Sequence, residues 1–335
     1  MKAVARYQPL PIDHAESLVD ITQPAPTPGP RDLLVRVHAV SVNPVDTKVR
    51  RGSPATGDQP KVLGFDASGV VEAVGAQVSL FKPGDRVYYA GDITRPGSNA
   101  ELQLVDERIT GRMPVSLGFA EAAALPLTAI TAWELLFDRL GVNAGTDGTL
   151  LVTGAGGGVG SILVQLARQL TKMTIVGTAS RPETQQWVRE LGAHHVIDHS
   201  KPLGEGLNAA GIGAVHVVAS LTHTDQHYAQ IIEALAPQGR LGLIDDPATP
   251  IDVMALKRKA LSLHWEMMFA RPMFQTADMQ AQHDLLNRVA DLVDAGRLRT
   301  TVGEQFGTIN ATNLKRAHAF IESGRAKGKV VLAGF

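Results

Sequence analysis

No cysteine occurs anywhere in the 335 residues, which excludes disulfides, thiolate nucleophiles and every sulfur-based metal site. An excess of either charge is missing too. The formal net charge is -1, so there is no field to hold phosphate backbones or anionic lipid, and neither nucleic acid nor membrane is expected as a partner. Small molecules are left as the default ligands. No apolar run reads as long enough to cross a bilayer. The opening Met1-Lys2-Ala3-Val4-Ala5-Arg6-Tyr7 reads as a strand and lacks the apolar core and small-residue cleavage site of a secretory signal, which predicts a cytoplasmic protein. Internal repeats and low-complexity segments are absent as well.

What is present is an ordinary globular mixture, 44% hydrophobic and 19% charged, in a chain longer than most single cores. Two domains with a cleft between them are expected. Up to about Phe119 the pattern is short strands broken by Pro and Gly, such as Leu34 to Val40, Ser68 to Gly75 and Val87 to Ala90, and this region reads as all-β. Beyond Glu121 nearly continuous apolar runs appear at Leu150 to Thr153, Thr174 to Thr178, Val215 to Val218 and Leu241 to Ile244. Helical stretches at Ser161 to Leu170, Pro182 to Leu191 and Asp225 to Leu235 separate them. Strands covered on both faces and joined by crossover helices make a doubly wound parallel sheet, an α/β fold. A helix near His283 to Ala295 and a strand at Lys329 to Leu332 are expected to rejoin the first domain. His216, inside its strand, reads as a core histidine.

The run Leu150 to Thr153 leads straight into Gly154-Ala155-Gly156-Gly157-Gly158-Val159-Gly160 and then an apolar helix. A Gly-rich turn between strand and helix aims backbone N–H groups and a positive helix end at a pyrophosphate. In the G-x-G-x-x-G register the three positions are Ala155, Gly157 and Gly160, a variant with alanine first. Gly158 and Val159 complete the predicted cradle. An NAD-preferring site carries Asp or Glu at the end of the next strand; this chain has Ala179-Ser180-Arg181-Pro182. A hydroxyl and a guanidinium suit a 2'-phosphate, so Ser180 and Arg181 predict NADPH, unless they only cap the following helix.

Several ordered segments together resemble the medium-chain dehydrogenase/reductase superfamily, and within it the zinc-free quinone oxidoreductase branch, whose members are often labelled zinc-type alcohol dehydrogenase-like. They are Ser41 to Thr47, Gly64 to Gly69, Pro83 to Val87, Leu125 to Trp133 and the glycine loop. The resemblance implies a GroES-like, mostly β catalytic domain over 1–122, a Rossmann NADPH-binding domain over 123–272 and a segment 273–335 that returns to the first. It also implies a homodimer joined through the edge strand. Where zinc-dependent relatives place Cys, His and Cys, the matching positions are Asn43, Phe65 and Leu127, so no metal is expected. The expected reaction is zinc-free hydride transfer from NADPH to a quinone or an α,β-unsaturated carbonyl compound. A zinc-type alcohol dehydrogenase and a non-catalytic NADPH-binding sensor are the alternatives.

The resemblance also supplies candidate site residues. Asn43 lies beside the nicotinamide in relatives, where it donates to an acceptor oxygen or orients the ring; holding the loop before Pro44 is the other reading. Lys48 stands where some relatives carry a tyrosine, and either attracts an anionic oxygen or is simply solvated. Thr131 matches a position that seats the nicotinamide. Ser220 and Ile244 fall at the carboxyl edge of the sheet, and His199 falls near a 2'-phosphate or on the surface. Lys329, with Arg325 and Lys327, approaches the pyrophosphate or forms a solvated basic turn. Tyr88 and Tyr89, on opposite faces of a strand, allow at most one to face the cleft. His223 and His227 have two-histidine metal spacing but no third ligand. His264 to Phe269 reads as the last strand of the sheet. The loop from Lys48 to Lys61 shapes the acceptor pocket.

Overall fold

The computed structural model describes residues 1–52 and 59–335, so part of the loop after Lys48 lies outside the described residues. The chain divides into two compact units, Met1–Ile130 with Phe269–Phe335, and Thr131–Met268.

The second unit is a six-stranded, all-parallel sheet. Its order is His195–Ile197, Thr174–Thr178, Thr149–Thr153, Val215–Ser220, Leu235–Leu243, Ser262–Trp265. Numbered along the chain that order is 3-2-1-4-5-6, the doubly wound arrangement with a switch point where strands one and four adjoin. Leu151, Val176, Val218 and Leu241 are all buried here, which is why their strands read as apolar runs. Each such side chain contributes about 1.5–3 kcal/mol on burial. His216 departs from the expectation. It is exposed, and its ring Nδ1 accepts the backbone N–H of Thr149 at 3.0 Å.

The first unit is built mainly of antiparallel strands. The long strand Asp32–Val42 lies at its centre, pairing with Ala67–Val74, Leu102–Asp106 and Lys329–Ala333. The C-terminal strand is therefore an integral neighbour of the central one. The helices that break the all-β expectation or fall outside it include Pro44–Arg51 and Ala311–Glu322. The first begins at Pro44, pre-set for a first helical turn, and its Asp46 carboxylate accepts the Asn43 N–H at 2.7 Å.

The stretch 119–139 does pass the length and composition test for a membrane span, contrary to the sequence reading. Of its most apolar window, 78% is buried within the protein. It has the character of a core segment.

Candidate active site

The glycine loop sits where the sequence put it. Strand Thr149–Thr153 ends at Gly154, whose φ of 69° is left-handed and costs glycine least, and helix Gly158–Leu170 starts at once. The Gly154 N–H is held by Thr178 Oγ1 at 3.2 Å. A Cβ on Gly160 would lie 2.5 Å from the Gly154 carbonyl oxygen and 2.6 Å from Ala155 Cα, so the third glycine is required for helix and strand to approach. Ala155 is fully buried, whereas Gly157, Gly158 and Val159 are half-buried. First-turn N–H groups of a helix have no intrahelical partner. The loop therefore fits a pyrophosphate, and the residues that would hold it are Gly157 to Gly160.

The remaining nucleotide-side candidates separate. Ser180 and Arg181 are half-buried at the end of strand Thr174–Thr178, and Arg181 pairs with Glu183 at 3.2 Å. His199 follows the neighbouring strand; since Ala179 N–H donates to Ile197 O at 3.0 Å, Ser180 and His199 leave the sheet side by side. The His199 ring lies 6.1 Å from that of His227, and burial keeps both imidazoles below their usual range. Thr131 is buried, and Ile244 is half-buried past the end of its strand.

Ser220 ends strand Val215–Ser220, at the carboxyl edge where the sequence placed it. It is fully buried in a chain of hydroxyls, 3.3 Å from Thr153 Oγ1 and 2.7 Å from Thr224 Oγ1, which donates to Asp245 Oδ1 at 2.6 Å. Its hydroxyl ties strand ends together. The sequence reading missed Thr153, Thr178 and Thr224, although hydroxyl residues at two strand ends and one helix start were the available signal.

In the first unit Lys329 departs from the expected basic surface turn. Because Val330 pairs with Val42 and Ala67 with Val40, Lys329 and Asp66 flank Asn43 at the end of the central strand. All three are buried, with 2%, 0% and 1% exposure respectively. The Lys329 ammonium donates to Asp66 Oδ2 at 2.9 Å and to Asn43 Oδ1. Asn43 Nδ2 donates to Asp66 Oδ2 at 2.8 Å, and the Leu127 N–H donates to Asp66 Oδ1 at 2.8 Å. Burial pushes the Asp66 carboxyl up, and Lys329 is the main group opposing it. Lys329 is thus engaged with Asp66 and Asn43, not turned outward toward a pyrophosphate. In the sequence Asp66 stands only as one residue of the Gly64 to Gly69 segment.

The other first-unit candidates do not join this group. Lys48 is exposed on helix Pro44–Arg51. Tyr88 and Tyr89 are both fully buried; the Tyr88 hydroxyl donates to Leu286 O at 2.6 Å, and burial pushes both phenols up.

The donor set does not fit zinc. Phe65 packs edge-on against Phe269 with ring centroids 5.5 Å apart, Leu127 offers a backbone N–H, and Asn43 is occupied by Lys329 and Asp66. Among the described residues, no three His, Asp or Glu side chains are grouped to hold a metal ion. His223 and His227 accordingly lack the third ligand a site requires.

Two further buried carboxyls are shifted upward as Asp66 is. Asp46 is raised to about 7, chiefly by burial and against the pull of the Asn43 N–H. Glu266 is raised to about 8, by burial first and then by the Glu134 carboxyl that hydrogen-bonds to it, against Arg139 at 2.9 Å. A carboxyl with a raised folded-state pKa binds its proton more tightly when folded. The stability it contributes is therefore complete below the unfolded-state carboxyl pKa of about 4, and is lost progressively as pH climbs from there to about 7 for Asp46 and about 8 for Glu266. Urea midpoints should fall across that window, and Glu266→Gln, which keeps a neutral partner for Glu134, should flatten its upper part. An unchanged pH profile in the variant would contradict the assignment.

Known proteins share this arrangement across the whole chain. The family described as alcohol dehydrogenase GroES-like domain matches residues 29–132, and the one described as zinc-binding dehydrogenase matches 191–332. A zinc-type alcohol dehydrogenase-like protein of Staphylococcus aureus (strain MSSA476) is 38% identical over 99% of each chain. A Rhizobium etli CFN 42 protein with the provisional name zinc-dependent alcohol dehydrogenase is 59% identical, with a TM-score of 0.95 over 100% of this chain and 98% of that one. The quinone oxidoreductase of Pseudomonas syringae pv. Tomato DC3000 is 26% identical, with a TM-score of 0.83 over 99% of each. With a glycine-loop nucleotide unit, a GroES-like unit and relatives matched from end to end, the chain belongs to the medium-chain dehydrogenase/reductase superfamily, in its quinone oxidoreductase branch, and is an oxidoreductase.

Proposed function

We propose that this protein is an NADPH-dependent reductase that acts on quinones or α,β-unsaturated carbonyl compounds without zinc. The observation that carries the reading is the Asn43 node, where an ammonium and an amide stand in place of a metal-binding donor set. A Lewis acid is what simple alcohol oxidation needs to acidify the hydroxyl. Without one, the acceptor must already be polarised by conjugation. Support for the cofactor comes from the loop geometry and from a similar protein, mycobacterial Rv1454c, described complexed with NADPH and 27% identical over 99% of this chain.

NADPH, when bound, supplies the hydride. The chain's own residues do the rest. Gly157 to Gly160 hold the pyrophosphate, and Ser180, Arg181 and His199 receive the 2'-phosphate. Asn43 donates from Nδ2 to the carbonyl oxygen as negative charge grows there, and water delivers the closing proton. Steady-state NADPH oxidation against a panel of quinones and enones tests the reading. Turnover on conjugated acceptors, with none on simple aldehydes, is expected. Tight NADPH binding with no turnover on any acceptor would favour a sensor instead.

The 2'-phosphate assignment gives a separate prediction. Arg181→Asp replaces a cation with the anion that suits a ribose 2'-hydroxyl, so NADPH should bind at least about tenfold more weakly, a loss of about 1.4 kcal/mol. NADH affinity should hold or improve. Equal weakening of both cofactors, measured by fluorescence titration, would remove Arg181 from the site.

We further propose a homodimer through the outermost strand, Ser262–Trp265, beside which Trp265 and Met267 are each 50% exposed. Exposed apolar groups beside a sheet edge suit a second copy. Sedimentation should show a dimer that Trp265→Glu converts to monomer; a wild-type monomer would end the idea.

A further inference from the structure

The hydrogen bonds of the Asn43 amide are unequal. Its oxygen accepts from the Lys329 ammonium, and one N–H is held by Asp66 at 2.8 Å. The nitrogen's other approaches are long, 3.4 Å to Ser41 O and 3.5 Å to Phe65 O. The orientation has no alternative, because an ammonium only donates and a carboxylate only accepts. Turning the amide over would set its NH2 against the ammonium and its oxygen against the carboxylate.

We propose that Lys329 is a positioning residue for the reduction, acting through Asn43: it polarises the amide so that the loosely held N–H becomes a stronger donor to the acceptor's oxygen. When the amide oxygen accepts from a cation, electron density moves from nitrogen toward oxygen, and hydrogen bonds in such a chain reinforce one another. In a buried setting the effect is little screened. Asp66 fixes the rotamer and balances the charge, and the register of strands Asp32–Val42 and Lys329–Ala333 brings the ammonium alongside. The inference rests on the proposed reading of Asn43 as donor to the acceptor. The chemistry is otherwise unchanged: the conjugated carbon would take a hydride supplied by bound NADPH, the π electrons would move onto the oxygen that Asn43 holds, and a proton from water would complete the reduced product. Lys329 keeps its protons throughout.

The test is a double-mutant cycle. Lys329→Gln combined with Asp66→Asn keeps neutral hydrogen-bonding groups at both positions and removes both charges. With a fixed enone, kcat should fall about 10- to 100-fold, with KM and NADPH affinity little changed. Adding Asn43→Ala to that pair should cost no more than about threefold beyond Asn43→Ala alone, since residues acting through one another are not additive. A folded pair variant with wild-type kcat, or losses that multiply, would overturn the inference. Should the pair variant not fold, the side-chain amide protons of Asn43 in the wild-type protein decide. Polarisation requires both to resonate downfield of the ordinary carboxamide range, and ordinary shifts would overturn it. If wild-type protein reduces no acceptor at all, the proposed function fails; if it does and the cycle is additive, only the role of Lys329 fails.

Discussion

Lys329→Met should lower the unfolding free energy by about 3–5 kcal/mol, because it strips the cation from a fully buried carboxylate and leaves that charge in a dry site. Asp66 has no exposure, and its remaining donors are an amide and one backbone N–H. Urea denaturation of the single variant and of Lys329→Met with Asp66→Leu separates the two contributions. The pair should recover most of the loss, since replacing both members of a buried ion pair is far milder than removing one. A single variant within about 0.5 kcal/mol of wild type, the range of ordinary surface substitutions, would show that the ammonium is not paired as described.

Gly160→Val carries the second large effect. Its Cβ would meet backbone atoms of Gly154 and Ala155 at 2.5 and 2.6 Å, and backbone cannot rotate aside as a long side chain can. Overpacking of this kind costs about 1–3 kcal/mol, and the displaced loop should weaken NADPH binding at least about tenfold. Gly157→Ala is the informative comparison. There the nearest atom to an added Cβ is Gly154 O at 3.4 Å, so stability should hold while the methyl still crowds an approaching pyrophosphate. Loss of stability in both variants, with cofactor affinity intact, would mean that the loop packs the unit but binds no phosphate.

These two sites differ in how far the sequence revealed them. The nucleotide unit was legible because a strand covered on both faces must be apolar throughout, as Leu150 to Thr153 and Val215 to Val218 are, and because a glycine turn is local in sequence. The Lys329–Asp66–Asn43 group was not. It joins residues at the ends of three separate strands, and nothing near Lys329 in the chain, set among Arg325, Lys327 and Gly328, distinguishes a buried ammonium from a solvated one. Asn43 was identified, but its partners follow only from strand register. Helix Pro44–Arg51 escaped for a related reason: Pro-Val-Asp-Thr-Lys-Val-Arg-Arg has few apolar residues, its buried residues are the polar Asp46, Thr47 and Arg50, and its Asp46 cap is a three-residue pattern that turns share. Tyr88 and Tyr89 were judged by alternation, which assumes one wet face. The strand Arg86–Tyr89 has none at those two positions.

The account stands most directly on hydride transfer without a metal ion. Protein freed of metal by chelation, with its zinc content measured, should be given NADPH deuterated at the transferable position together with a conjugated enone. The account predicts that the label appears in the carbon skeleton of the saturated product, at a rate that chelation leaves unchanged. Transfer that stops on chelation and returns with stoichiometric zinc would contradict it.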